Sequence, residues 1–409
     1  MGASRSALLA AAALGLVLRL AFGFGYWTGE LLTRDEREYL SLARGLTSGR
    51  GFVYDDEILS GRQEPFGRAP GYPAFLALAG GGREVTKSVP ASVKIAQSFA
   101  GAAGVVLVGL LAARLAGRRA GAIAAALAAV YPPLVWVAAY AWSEAIAWPI
   151  GLVAVWWFDR AAASRADEAW KPAAIAGVLT GVGILVRPSM LLFVPFALGW
   201  LAWRRRVTTA LAMALAVSLV VAPWSLRNVR EYGRFVLVAT EGGVTFWTGN
   251  HPRAIGEGDL AANPHLKLES QALRSRYPSL SEEAMEPVYY REAFAWMRSH
   301  PIDWLWLELR KAFYLVVPIG PSYTLHSRLY YGASVASYGL ALPIALAGLA
   351  RLGTRRARTP GLWLLAGSAI ATCLIFFPQE RFRIPVIDPV LVICAAAAIA
   401  LRHGNEDAP

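Results

Sequence analysis

Ten long apolar runs divide the sequence, and they constrain the fold more than any other feature. A helix needs roughly 20 residues to cross the ~30 Å of hydrocarbon in a bilayer. The runs cover residues 7–24, 91–113, 120–138, 143–158, 172–186, 189–203, 207–223, 331–350, 360–377 and 384–401. They lack the alternation of barrel strands, and a lipid-facing segment must satisfy its own backbone polar groups. The sequence therefore predicts an all-α polytopic membrane protein with about ten transmembrane helices.

The amino-acid composition excludes several other classes. Hydrophobic residues make up 56% of the chain and charged residues 17%, against about 25% charged residues in soluble domains. A disordered chain is not this apolar. The two cysteines, Cys373 and Cys394, lie inside apolar runs and are interpreted as small buried hydrophobes rather than a disulfide framework. Arg19 interrupts the first run, which we interpret as a transmembrane helix and not a cleaved signal peptide.

The formal net charge of +12 would suit a nucleic-acid partner, but the basic residues fall in the connections between the runs. One set of short connections carries about fifteen Lys and Arg residues and the other set three, so the richer set is cytoplasmic by the positive-inside rule. The richer set comprises Arg5, Arg114, Arg118, Arg119, Arg160, Arg165, Lys171, Arg204, Arg205, Arg206, Arg351, Arg355, Arg356, Arg358 and Arg402. This distribution predicts cytoplasmic termini and no nucleic-acid partner.

We interpret residues 1–409 as one membrane domain that carries two outer loops, at 25–90 and 224–330. The second loop contains the apolar segment 301–318, which also holds four charged residues. Those charges would be costly in hydrocarbon, and a crossing there would move the following arginine cluster to the outside. Aromatic residues beside a charged face predict a helix that lies in the membrane interface.

Candidate chemistry begins in the first outer loop. Asp35 and Glu36 are adjacent, and Arg34 and Arg37 flank them. Because arginines keep neighbouring carboxylates ionised, the pair is a candidate general base for an acceptor hydroxyl; the alternative is a solvated acidic turn. Arg68 lies in a proline-rich loop, where a guanidinium would suit a phosphate; the alternative is a helix-entry turn in the interface.

Further polar residues lie where predicted spans meet the outer surface. Glu144 is near a helix start, where it either caps the helix dipole or faces a shared cavity. Arg187 ends the fifth span, as a membrane anchor or a ligand contact. Arg381 and Arg383 lie at the outer ends of the last two spans, against the positive-inside bias. Two arginines in such a position favour an anionic partner.

The second outer loop adds a possible ligand-binding segment. Two glycines follow Glu241 and would let the backbone approach a ligand closely, and Asn250 suits a hydroxylated one. The loop also contains His251, His265, His300 and His326. Because their spacing matches no metal motif, we expect neither a metal nor another cofactor.

Six short motifs follow one another along the chain. The first is the acidic pair with Tyr39 and the stretch Gly49-Arg50-Gly51. The others are RAPGYP at 68–73, YPPLVWVAAYAWSE at 131–144, GVGILVRP at 181–188, PWSLRN at 223–228 and RFRIP at 381–385. In this order they resemble the integral-membrane C-type glycosyltransferases of the protein O-mannosyltransferase and aminoarabinose transferase superfamily. The chain departs from the larger members in length, since those add spans and soluble domains.

The resemblance implies transfer of a sugar from a polyprenyl-phosphate donor to a lipid, glycan or protein hydroxyl at the outer face. Asp35 maps onto the general base, with Glu36 beside it and Glu144 as a further acid. A single displacement inverts the anomeric carbon, and cations face the departing phosphate. The candidate phosphate contacts are Arg68, Arg187, Arg227, Arg381 and Arg383, with Arg68 and Arg383 ranked first. The candidate substrate contacts are Tyr39, Tyr72, Asn228 and Asn250.

Two other functions stay open. A transporter or lipid flippase also buries charge among many helices, but it usually places ionisable residues at mid-membrane and shows repeated halves. Apart from Arg19, the runs are nearly free of charge near their centres, which favours chemistry at the outer surface. A noncatalytic envelope-assembly subunit would keep the fold without the activity. The abundance of Ala and of Arg over Lys favours a bacterial source, and hence a plasma-membrane location.

Overall fold

The structure, a computed structural model, describes residues 2–401 apart from 28, 30, 32, 55–66, 84–86, 259, 318 and 320–326. All regular secondary structure in these ranges is helical. Each of the ten apolar runs overlaps helix, and the chain has the all-α polytopic membrane fold that the runs predict. The predictions for His326 and Arg402 fall outside the described residues.

Ten α-helices lie in the described part of the chain between Gly2 and Tyr232. Their bounds are α1 Gly2–Ala21, α2 Arg34–Thr47, α3 Gly71–Leu78, α4 Ala91–Ala116, α5 Arg118–Val130, α6 Pro132–Trp136, α7 Glu144–Ala163, α8 Trp170–Val186, α9 Phe193–Trp203 and α10 Val207–Tyr232. A π-helical turn, Phe22–Tyr26, extends α1. The 3₁₀ turn Pro188–Leu192 leads into α9.

The second half begins with the long polar segment and ends with three apolar helices and a short one. The bounds are α11 Gly242–Gly249, α12 Pro264–Ser275, α13 Glu282–Ser299, α14 Pro301–Val316, α15 Arg328–Leu352, α16 Pro360–Ile375, α17 Glu380–Arg383 and α18 Ile387–Ala400. Helix α14 covers the segment predicted to lie in the interface. Its exposed side includes Leu305, Trp306 and Phe313, while Lys311 on the other side is buried.

Several helices are long and apolar enough to span a bilayer. Among the described residues, four segments pass on length and composition, namely Arg5–Tyr26, Ala91–Ala116, Val207–Tyr232 and Arg328–Arg358. The pair Arg118–Val130 and Pro132–Ala139, bent by 64°, would be a fifth span if it is one broken helix. The shorter apolar helical segments are Trp170–Val186, Pro188–Trp203, Pro360–Ile375 and Ile387–Ala400.

Small residues let the helices pack closely around the main apolar core. An added Cβ at Gly101 of α4 would lie 2.4 Å from Nε of Arg19, so the glycine makes room for that buried arginine. Nη1 of Arg19 donates to the Gly15 carbonyl at 2.8 Å, and its guanidinium lies 5.9 Å from the Trp148 ring. The basic residue that interrupts the first run is therefore enclosed by protein and not exposed to lipid.

Two smaller apolar clusters lie at one end of the bundle. One joins α2, α3 and the starts of α4 and α7, and includes Leu40, Leu76 and Val93. The other joins α11, α12 and α13 through residues such as Trp247 and Met285. The first cluster supports the helices that carry the acidic pair, and the second gives the long polar segment a small core of its own.

Candidate active site

Helix α2 presents its acidic residues in two directions. Asp35 and Glu38 are three residues apart, so they lie on the same helical face. Glu36 points elsewhere: its Oε2 accepts the Thr33 backbone N–H at 2.8 Å, and its Oε1 accepts the Ala141 N–H at 3.1 Å. Glu36 is fully buried, and it caps the start of α2 and ties it to the turn before α7.

Arg68 lies at the centre of the polar cluster. Its Nε and Nη2 donate to Oε2 of Glu38 at 2.9 and 2.5 Å, and Nη2 also donates to Oδ1 of Asp35 at 2.7 Å. Its Nη1 donates to Oε2 of Glu241 at 2.9 Å. The guanidinium also lies 5.3 Å from the ring of Tyr39. One cation therefore holds three carboxylates from two segments, the start of α2 and Glu241, that are far apart in the sequence.

Two backbone contacts position the loop that carries Arg68. The Thr240 N–H donates to the Gly67 carbonyl at 3.0 Å, and the Gly67 N–H donates to the Thr240 hydroxyl at 2.7 Å. On the other side, an added Cβ at Gly71 would lie 2.8 Å from the backbone N of Val186. The RAPGYP motif thus packs against both the Glu241 segment and the end of α8, which carries Arg187.

The motif PWSLRN holds the Glu241 segment in place. Near the end of α10, the indole N–H of Trp224 donates to the Val238 carbonyl at 2.8 Å. The Ser225 hydroxyl donates to the Leu237 carbonyl at 2.7 Å. Asn228 is buried, and its Nδ2 donates to the Val238 carbonyl at 3.3 Å. The candidate substrate contact Asn228 is therefore a bracing residue in this structure.

Arg381 and Arg187 complete the cluster from the opposite side. Nη2 of Arg381 donates to Oδ2 of Asp35 at 2.5 Å. Nη1 of Arg187 lies 3.0 Å from Oε1 of Glu144, and Nε of Arg381 lies 3.7 Å from the same oxygen. The ring of Phe382 lies 5.0 Å from the Arg187 guanidinium and 5.5 Å from that of Arg381. Glu144 and Phe382 thereby keep two arginines side by side next to Asp35.

The result is a string of alternating charges. In order, it runs through Arg34, Glu38, Arg68, Asp35, Arg381, Glu144 and Arg187, and Glu241 branches from Arg68. Four arginines balance four carboxylates, so an anionic ligand would have to replace a carboxylate at one of the arginines.

The pairing changes the proton affinity of the carboxylates. Burial would raise the pKa of Asp35, but Arg381 and Arg68 outweigh it and hold the pKa well below the usual value. Burial raises the pKa of Glu241 to about 7, with Arg68 opposing the rise and Asp35 and Glu38 adding to it. Asp35 is therefore ionised across the physiological range, and Glu241 changes charge near neutrality.

Two other candidate substrate residues have structural partners. Tyr72 is buried, and its hydroxyl donates to Oε1 of Gln97 at 2.6 Å. Asn250 is buried between α11 and α16: its Nδ2 donates to the Ile375 carbonyl at 2.9 Å. Its Oδ1 accepts from Lys311 at 3.1 Å. Tyr39 contacts the Asp35 cluster through Arg68, and the Tyr72 ring packs edge-on against the Tyr39 ring with the centroids 4.9 Å apart.

Two of the candidate phosphate contacts also lie apart from Asp35. Arg227 lies 4.9 Å from the Trp224 ring and 3.7 Å from Glu231. Arg383 is buried and lies 4.0 Å from the Tyr338 ring. The ranking of Arg383 above Arg381 is thus not reflected in the geometry. Residues two apart on a helix point about 200° apart, so α17 directs only Arg381 toward Asp35.

The sequence also contained signals for residues that the candidate set omits. Glu38 follows Asp35 by one helical turn, and Thr33 and Glu36 match the S/T-x-x-E capping box. That pattern marks Glu36 as the cap, while the spacing of three residues puts Glu38 on the same helical face as Asp35. Glu241 had no comparable local signal, because its contact with Arg68 spans 173 residues.

No metal centre is evident in the part of the chain that the structure describes. Among those residues, no group of three or more His, Cys, Asp or Glu could hold a metal ion. The three carboxylates that do converge, Asp35, Glu38 and Glu241, have a guanidinium between them.

A comparison with protein-family models supports the resemblance inferred from the motifs. A family model described as dolichyl-phosphate-mannose-protein mannosyltransferase matches residues 68–226, which include Arg68, Glu144 and Arg187. No curated protein sequence matches the chain.

Solved structures extend the similarity to the whole chain. The archaeal oligosaccharyltransferase AglB from Archaeoglobus fulgidus, in complex with an inhibitory peptide and a dolichol-phosphate, has a TM-score of 0.55 at 16% identity, covering 97% of this chain and 50% of that one. An Archaeoglobus fulgidus oligosaccharyltransferase tethered to an acceptor peptide by a disulfide bond gives 0.54 at 15% identity, covering 97% and 49%. ArnT from Cupriavidus metallidurans bound to undecaprenyl phosphate gives 0.41 at 14% identity, covering 96% and 77%.

This chain spans about half the length of AglB. Identity this low establishes a shared fold and not a shared activity. The resemblance inferred from the motifs is confirmed: the chain has the fold of the C-type membrane glycosyltransferases.

Proposed function

We propose that this protein transfers a sugar from a polyprenyl-phosphate donor to an acceptor hydroxyl at the extracytoplasmic face of a bacterial plasma membrane. The observation that carries the proposal is the placement of Asp35 between Arg68 and Arg381, with the Arg187–Glu144 pair adjoining. A carboxylate beside several guanidinium groups provides both a proton acceptor and an anion site. Sugar transfer from a lipid phosphate needs these two elements close together.

The reaction is a single displacement at the anomeric carbon. The acceptor oxygen forms a bond to that carbon, the bond from the carbon to the phosphate oxygen breaks, and the acceptor proton passes to Asp35. The anomeric configuration is inverted. The polyprenyl phosphate leaves with an added negative charge, and Arg381 and Arg187 are the cations placed to stabilise it.

Donor binding would activate the base. With both carboxylate oxygens held by guanidinium N–H groups, Asp35 is a weak proton acceptor. A phosphate that takes Arg381 away from Asp35 frees Oδ2 and removes one of the charges that lower its pKa. Asp35 would then be basic only when a donor is present, which limits wasteful reaction with water.

The likeness to AglB supports a lipid-phosphate ligand, since that protein has been solved with a dolichol-phosphate. The match to the mannosyltransferase family model supports a hexose as the transferred group. The acceptor is a lipid, a glycan or a protein hydroxyl, and no nucleic acid takes part.

The test is a transfer assay with purified protein. The donor is a lipid extract from cells that lack the gene, in which the unused donor is expected to accumulate, and the acceptor is an envelope fraction from the same cells. The proposal predicts that sugar moves into the acceptor fraction and that free polyprenyl phosphate appears in equal amount. A transporter would leave the donor intact, and a noncatalytic subunit would leave both fractions unchanged; either result would refute the proposal.

A further inference from the structure

A groove lies between α15 and α18, at the end of the bundle opposite the candidate active site. It has a volume of about 440 Å³ and is lined by Pro343, Ile344, Ala347, Arg351, Ala398 and Ile399. Alongside it the two helices meet closely, since an added Cβ at Gly348 would lie 1.8 Å from the Cys394 carbonyl oxygen. The groove is therefore a furrow beside a tight helix contact.

The lining is apolar except at one end. From Pro343 to Arg351 the helix rises about 12 Å, close to the ~15 Å depth of one leaflet of hydrocarbon. Arg351 lies at the polar end of the groove, and its Nη1 donates to the Ala398 carbonyl at 2.6 Å. This bond fixes the guanidinium at the mouth of the groove, and its other nitrogens make no hydrogen bond to the described part of the chain.

The surroundings of the mouth are strongly basic. Residues 328–379 contain no Asp or Glu, while Arg355, Arg356 and Arg358 follow Arg351 within seven positions. Nε of Arg114 donates to the Arg358 carbonyl at 2.9 Å, so this segment is held against the bundle. A groove with an apolar length and a basic mouth matches a ligand with an apolar chain and an anionic head.

The groove is too far from Asp35 to take part in sugar transfer. The Ser334 hydroxyl, near the other end of α15, donates to Oε1 of Glu380 at 2.5 Å, and Glu380 adjoins Arg381. From Ser334 to Arg351 the helix rises about 25 Å, which approaches the thickness of the hydrocarbon core. The groove and the candidate active site thus face opposite leaflets, and the arginine distribution predicts that the groove faces the cytoplasmic one.

We propose that this groove binds an anionic phospholipid of the cytoplasmic leaflet. One acyl chain lies along Pro343, Ile344 and Ala347, and the headgroup phosphate contacts Arg351, with Arg355, Arg356 and Arg358 adding attraction. Basic pockets between transmembrane helices on the cytoplasmic side are suited to such headgroups. The proposal concerns binding alone and does not depend on the sugar-transfer function.

The test measures lipid binding to the purified protein. Native mass spectrometry compares the binding of phosphatidylglycerol with that of phosphatidylcholine. Arg351→Gln removes the charge at the mouth, and Ala347→Trp fills the groove without changing the charge. Arg118→Gln is the matched control, because Arg118 is also exposed and lies on the same predicted side. Monodisperse elution and an unchanged melting temperature identify the variants that remain folded.

The wild type and Arg118→Gln should bind phosphatidylglycerol about fivefold more tightly than phosphatidylcholine. Arg351→Gln should lose that preference, and Ala347→Trp should weaken binding of both lipids. The proposal is overturned if Arg351→Gln keeps the wild-type preference or if Ala347→Trp binds both lipids as the wild type does. It is also overturned if millimolar inorganic phosphate displaces phosphatidylglycerol, because the site would then recognise the anion alone.

Discussion

Arg381 and Asp35 are 346 residues apart in the sequence, yet Nη2 of the arginine donates to Oδ2 of the aspartate at 2.5 Å. The contact joins the short helix α17 to the start of α2. It also gives Asp35 a second guanidinium partner in addition to Arg68. The cation proposed to hold the donor phosphate is therefore already paired with the proposed base, and donor binding must change that pairing.

Arg381→Gln should weaken binding of polyprenyl phosphate, the leaving group, by about tenfold or more, because a charge-assisted bidentate contact is lost. Arg227→Gln is the matched control, since Arg227 is also an arginine at the predicted outer surface but lies against Trp224 and Glu231. Equilibrium binding of a labelled polyprenyl phosphate measures both variants. Weaker binding by the Arg227 variant alone would contradict the assignment.

Glu36→Ala should lower stability by about 2 kcal/mol, since it removes the cap of α2 and leaves the buried Ala141 N–H without its acceptor. Glu36→Gln should retain much of that stability, because glutamine also serves in a capping box. Thermal unfolding of the two variants measures the difference. An unchanged melting temperature of Glu36→Ala would contradict the structural role, and loss of sugar transfer by a stable Glu36→Gln would add a catalytic one.

The apolar runs predicted where the helices lie, because length and hydrophobicity alone decide whether a segment suits a bilayer. The charged character of the site was also evident from Asp35, Arg68, Glu144 and Arg187, which the structure brings together. The specific pairs were not evident. Whether Arg381 or Arg383 faces Asp35 depends on how α17 is rotated, which contacts with other helices determine.

The pairing of Glu241 with Arg68 could not be predicted from the sequence either, because it also depends on tertiary contacts. Its contact with Arg68 depends on the Gly67–Thr240 backbone pair, a tertiary interaction between two loops. Conversely, Tyr72, Asn228 and Asn250 resemble ligand contacts in the sequence, yet their polar atoms bind neighbouring backbone and side-chain groups. A polar residue in a motif can hold a site together without touching its ligand.

Glu241→Gln should change how stability depends on pH. Because the pKa of Glu241 rises from 4.5 to about 7 on folding, the folded state binds more protons, and the stabilising effect is complete below about pH 4.5 and lost as the pH rises through 7. Melting temperatures from pH 5 to 8 should therefore fall more steeply for the wild type than for Glu241→Gln. The difference in slope should be small, because the Glu241 side chain is 30% exposed and solvent screens its interactions. Parallel curves would contradict the shift.

Glu380, whose pKa burial also raises to about 7, is present in both proteins. Its contribution therefore cancels in this comparison. The lowered pKa of Asp35 makes the stability rise with pH instead of falling, and this change takes place at pH values below the range measured.

Membrane topology can be tested with single cysteines. Lys267→Cys, on the exposed surface of α12, should react with an impermeant maleimide added to intact cells. Arg118→Cys should react only after lysis, because the arginine-rich connections are predicted to be cytoplasmic. Cys373 and Cys394 are buried and should give little background. If Arg118→Cys is labelled in intact cells and Lys267→Cys is not, the protein has the opposite membrane orientation and the predicted topology is wrong.

The most direct test of the account is the turnover of Asp35→Asn in the transfer assay, with Asp167→Asn as the matched control on an exposed residue. Loss of a general base typically slows a reaction by 10²–10⁴-fold. We therefore predict a fall of about that size for Asp35→Asn, with an intact folded protein and no change for the control. Near-normal turnover of Asp35→Asn would contradict the role of Asp35 as the base.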